Sequence, residues 1–196
     1  MIDQLLSNVQ DGVYQIFNIK AYDHILFLIV LTVPYLFKDW KRVFILISIF
    51  TAAHCISLAL TTYDIINVNL KLIEVLIPTS ILIVALFNVF TAGKKSHGST
   101  FGLVFFATLF FGLIHGLGYV NTFDRLISSS ENKLLVLLEI GLGIEAGQLF
   151  VAFIILFLSF LCQTIFRFSK RDWVMVTSAI VVGFVLPILI NSKLFS

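Results

Sequence analysis

The chain reads as an all-α integral membrane protein, a bundle of about six transmembrane helices preceded by an amphipathic helix. Three observations predict this. Of 196 residues, 59% are hydrophobic and 12% charged, with mean hydropathy +1.05, which is too little polar surface for a soluble domain. Six apolar runs approach or exceed the ~20 residues that cross a bilayer. Basic residues gather in alternate loops, as in a polytopic chain. The lipid bilayer is therefore the first partner, and a net charge of +2 gives no reason to expect nucleic acid.

The elements follow in order. Residues 1–19 carry Ile2, Leu5, Leu6, Val9, Val13, Ile16 and Phe17 at helical spacing, with Asp3, Gln4, Ser7, Asn8 and Asp11 between them. That pattern describes an amphipathic helix lying on a membrane face or against the bundle, read first as a cap over the bundle mouth. The six spans are predicted at about 21–37, 42–61, 72–91, 101–121, 134–162 and 173–191. Pro34, Pro78 and Pro187 fall inside three of them and are expected to kink rather than end those helices. Phe, used 21 times, is expected as lipid-facing bulk. Cys55 and Cys162 lie in apolar runs and read as small packed side chains. The first residues lack a basic n-region, so no removable signal peptide is expected. Residues 1–196 form a single domain.

Loop charges orient the bundle. Lys38, Lys41 and Arg42, then Lys94 and Lys95, then Arg167, Lys170 and Arg171 are eight of the 13 basic residues, and all fall in the loops after spans one, three and five. The positive-inside rule puts both termini on the extracytoplasmic face of a plasma (inner) membrane.

The chemistry lies in a few ionisable residues within apolar runs, where they are costly and usually functional. Asp23 and His24 open span one, His54 lies toward the outer end of span two, His115 toward that of span four, and Glu145 deeper in span five. All five are placed in the outer half of the bilayer, on helix faces carrying small or polar neighbours. Imidazole with carboxylate suits a divalent transition metal, whereas two Met and two Cys disfavour a Cu(I) site. Asp23 is read as a ligand or as the carboxylate that orients a histidine, ahead of a plain helix cap. Glu74, Gln148 and Cys55 are candidates for orienting a ligand or lining the access route. Glu139 is peripheral, and His97 in GKKSHGS reads as solvated. Gly112-x-x-x-Gly116 and Gly143-x-x-x-Gly147 are expected to pack spans four and five together. The last span, 173–191, holds no ionisable residue and is structural.

The stretches AYDHILFL (21–28), FTAAHCISLAL (50–60), IEVLIPTSILIVALFN (73–88), FGLIHGLGYV (111–120) and GIEAGQL (143–149) resemble, in order and spacing, the HupE/UreJ family. Its members are small polytopic membrane proteins associated with nickel delivery to hydrogenase and urease and described as nickel or cobalt permeases. The resemblance puts the family's polar positions on Asp23, His24, His54, Glu74, His115, Glu145 and Gln148. This chain departs at Phe17, Ala21, Cys55 and Gly141, where the family often has His, Gly, Ser and Asn. The resemblance implies transport of nickel or cobalt, with metalloenzyme maturation partners. Homo-oligomerisation stays open.

Two functions fit the residues. One is a divalent-metal permease with His24, His54 and His115 as ligands and Asp23 and Glu145 supplying negative charge. The other is an intramembrane zinc hydrolase, three histidines leaving one position for water and Asp23 or Glu145 acting as base. No phosphate-binding P-loop motif occurs. Below the histidines the permease reading finds only Ser48, Thr51, Asn88 and Thr108 as a polar route inward.

Overall fold

A computed structural model describes residues 2–18, 22–94, 100–127 and 132–192. Among these there are seven α-helices: α1 (Ile2–Phe17), α2 (Asp23–Thr32), α3 (Trp40–Thr62), α4 (Leu70–Thr91), α5 (Thr100–Ile127), α6 (Lys133–Thr164) and α7 (Lys170–Ile190). A 3-10 turn, Phe37–Asp39, leads into α3. By length and composition four helical stretches are able to cross a membrane: Phe37–Thr62, α4, α6 and α7. His97 lies outside the described residues.

The first predicted span is not one helix. It is helical only over the 10 residues of α2, about 15 Å against the ~30 Å of hydrocarbon a span must cross. Pro34 causes the early end. It lacks an N–H; Val33 before it is still helical, at φ −52° and ψ −35° with its N–H on the Ile29 carbonyl, and beyond it the chain turns and restarts at Phe37. Pro78 and Pro187, in contrast, sit inside α4 and α7 as expected.

The missing length comes from α1. Rather than lying flat as a cap, α1 stands along the N-terminal half of α6. Asn8 Nδ2 donates to Glu139 Oε2 at 2.6 Å. Gly12 meets Gly143, Ile16 meets Gly147, and the Phe17 and Phe150 rings lie 6.1 Å apart. Successive α1 residues thus meet successive α6 residues, so the two helices run in the same direction. Beyond α2, Phe37 reaches Phe153 and Phe160 further down α6. α1 and α2 thus run in succession beside α6, with a break between Phe17 and Asp23.

The glycine pairs serve different neighbours from those expected. Gly112 and Gly116 face α3, where an added Cβ would strike Phe50 and Ala53, or Ser57 and the His54 carbonyl. Gly143 and Gly147 face α1. Small residues permit close backbone approach, but they do not say whose backbone approaches. The predicted contact between spans four and five is replaced by an α3–α5 seam and an α1–α6 seam.

Many phenylalanines do face outward, Phe90, Phe106, Phe110 and Phe150 among them. Phe27, Phe50, Phe111 and Phe123 are buried instead. Gly93, at φ +81°, lies against the Arg171 side chain, so two of the basic loops share one end of the bundle.

Candidate metal centre

Three histidines meet inside the bundle. The His24 ring centroid lies 6.0 Å from that of His54 and 5.4 Å from that of His115. His54 and His115 are essentially inaccessible, at 0% and 1% exposure, and His24 is buried. Each comes from a different helix, α2, α3 or α5. Close approach of α3 and α5 at Gly112 and Gly116 brings His54 and His115 to one level.

Their hydrogen bonds are uneven. His115 Nδ1 contacts the Phe111 carbonyl at 2.8 Å. His24 Nδ1 lies 3.2 Å from Asp23 Oδ1, which also accepts the His24 backbone N–H at 3.0 Å. These partners favour protonation at Nδ1 and leave the Nε2 lone pairs free, the state in which a histidine binds metal. Among the described residues, the Nε2 atoms of His24 and His115 and both ring nitrogens of His54 have no hydrogen-bond partner. Buried polar atoms without partners are rare and costly, and here they cluster. Asp23 thus combines the two readings of it: it bonds its own helix terminus and it orients a ring.

His24 and His115 border a cavity of about 330 Å³, lined by Asp11, Tyr14, Gln15, Asn18, Asp23, His24, Ile77, His115, Gly118 and Tyr119. Gly118 keeps it open, since a Cβ there would press on Ile77. His54 lies behind the lining. At the other side is an aromatic floor. Phe27, Phe50 and Phe111 are buried, with Phe27 stacked on Phe50 at 4.7 Å. Phe27 and Phe50 pack on the His115 ring at 5.3 and 5.1 Å. Each stands one turn from its histidine on the same side.

Other candidates lie elsewhere. Glu145 Oε1 accepts from Ser48 Oγ at 2.5 Å and is not among the cavity-lining residues. Gln148 Oε1 accepts from Thr51 Oγ1 at 2.9 Å, and Cys55 lies against Gly141. These form a polar seam between α3 and α6. Glu74 is exposed near the start of α4. Asn88 and Thr108, expected along an inward route, are bonded to the carbonyls of Val30 and Val104. Among the described residues, no three His, Cys, Asp or Glu side chains are grouped to hold a metal ion as they stand.

The sequence reading missed the α1 residues of the cavity. Their signal was present: Asp11, Gln15 and Asn18 recur at four and three residues, a stripe about a third of a turn around the helix from Gly12 and Ile16. The floor was also legible as Phe three or four residues from each histidine.

A helical membrane bundle with convergent buried imidazoles beside a carboxylate defines a class: polytopic proteins that hold a polar site inside the bilayer. Residues 1–192 match the family model described as HupE / UreJ protein, and the chain belongs to that family. Membership points to nickel- or cobalt-related function at a membrane. No curated protein and no solved structure matches the chain.

Proposed function

We propose that this protein carries a divalent transition-metal ion of the nickel or cobalt type across the membrane, with His24, His54 and His115 as its ligands. One observation carries the reading: unpartnered imidazole nitrogens on three buried residues from three helices, at the head of a cavity. Asp23 orients His24 and supplies charge. Glu145, on the α3–α6 seam, offsets the cation's charge on its way inward. A transport site must release what it binds, so a set of ligands not yet closed around an ion suits it. The aromatic floor closes the route past the site in this conformation. Passage requires Phe27, Phe50 and Phe111 to part, as in alternating access.

The test is Co²⁺ uptake by purified protein in sealed vesicles. Uptake is expected, and it should weaken at low pH. The sign follows from competition: metal needs the neutral ring, so protonation at low pH displaces it. Absence of divalent-ion movement under any gradient would refute transport. Bound zinc with ester or amide turnover and no uptake would establish the hydrolase instead.

Both termini are proposed to be extracytoplasmic, with the basic loops at the cytoplasmic end. A reporter fused after Ser196 should be active only outside the cytoplasm. Activity only inside reverses the orientation.

A further inference from the structure

Resting on the transport reading, we propose that Asp11 and Gln15 of α1 form an outer loading position, where a hydrated divalent cation is held by oxygen ligands before it reaches the imidazoles.

α1 has two faces. Gly12 and Ile16 pack on α6, whereas Asp11, Gln15 and Asn18 line the cavity. Gln15 carries the argument. It is 6% exposed, and neither Oε1 nor Nε2 has a hydrogen-bond partner among the described residues. Such burial is costly unless a ligand or water meets the amide. One turn away along the same face stands the Asp11 carboxylate, and Asp23 lines the same cavity. An amide oxygen between two carboxylates is an oxygen donor set, suited to hard or still-hydrated divalent ions rather than to one already stripped for nitrogen. Asp11 and Gln15 come from α1, and Asp23 and His24 open α2, so oxygen donors and the first imidazole line one cavity. A cation would exchange water for protein oxygen first and take imidazole last, which divides its dehydration into smaller steps.

Mn²⁺ is the probe, because it prefers oxygen ligands and its free signal in electron paramagnetic resonance disappears on binding. The full-length protein is titrated in lipid nanodiscs, with Co²⁺ titrated separately and its visible absorption reporting the imidazoles. Wild type is expected to bind Mn²⁺. Gln15→Glu should tighten Mn²⁺ by about tenfold or more and Asp11→Asn should weaken it comparably, since each changes one charge beside the ion. A purely structural Gln15 would not give a gain on gaining charge. His54→Ala should abolish the Co²⁺ spectrum and leave Mn²⁺ within about twofold, because His54 belongs to the imidazole set alone and is not among the residues lining the cavity.

If Gln15→Glu and Asp11→Asn leave Mn²⁺ affinity unchanged, the loading position does not exist. It is equally overturned if His54→Ala removes Mn²⁺ along with Co²⁺, for then there is one site. A wild type without an imidazole Co²⁺ spectrum, but with the Mn²⁺ responses intact, would remove the imidazole reading and leave the oxygen site standing.

Discussion

Replacing His54 with alanine is expected to lower Ni²⁺ or Co²⁺ affinity by more than about 100-fold. That figure is the upper end of what losing a mere orienting partner costs, and a lost ligand should exceed it. His54 is fully buried, both its ring nitrogens lack partners, and His24 lies beside it. Asp23→Asn is the matched control. It keeps the shape, weakens the hold on His24 Nδ1, and should cost about 10- to 100-fold. Calorimetric titration of purified protein measures both. A packing role for His54 predicts a different result: lower thermal stability with affinity intact. If His54→Ala folds and binds as tightly as wild type, the three-histidine site is wrong.

Gly143→Leu is expected to detach α1 from α6. A Cβ at Gly143 lands on the Val9 carbonyl and within 3.0 Å of the Gly12 Cα. Backbone cannot swing aside as a side-chain tip can, so the helices must separate. Overpacking of this kind costs about 1–3 kcal/mol, occasionally more. The Asn8–Glu139 bond, of a kind worth about 1.5–3 kcal/mol when the acceptor is a carboxylate, would go with it. α1 is one wall of the cavity, so metal affinity should fall although no ligand is altered. Thiol cross-linking between cysteines placed at Asn8 and Glu139 reports the contact directly. Efficient cross-linking should be lost in Gly143→Leu. Gly147→Ala should be milder, because its Cβ meets only the Ile16 side chain at 3.2 Å. Gly183→Ala, with open space around it, should be neutral. Cross-linking unchanged in Gly143→Leu would show that the seam yields elsewhere.

Much of the fold was legible because hydropathy reads lipid exposure directly. The helices α3, α4, α6 and α7 begin and end within about three residues of the predicted spans. The histidines were legible because an imidazole in an apolar run has few other reasons to be there. Helical phase then brought them to inward faces. What failed depended on partners. Apolar residues continue through Pro34, so hydropathy alone runs past the end of α2. Glycine pairs announce close contact without naming the neighbour, and Gly143 turned to α1. Glu145 was given to the histidines by depth and phase, yet Ser48 on the same facing helix takes it. Asp11 and Gln15 looked like the wet face of a surface helix. Only the stance of α1 along α6 turns that face into a cavity wall.

The shortness of α2 has a consequence for how the chain is made. A segment of 10 residues beginning Asp-His is too short to be retained in the membrane as a span when it leaves the ribosome. Its lateral support, α6, is synthesised more than 100 residues later. The N-terminal stretch must therefore wait, held loosely at the membrane surface, until α6 arrives to receive it. Assembly of the histidine cluster is then a late event in biogenesis. A ribosome-bound chain stopped before α6 would possess His24, His54 and His115 and still have no site.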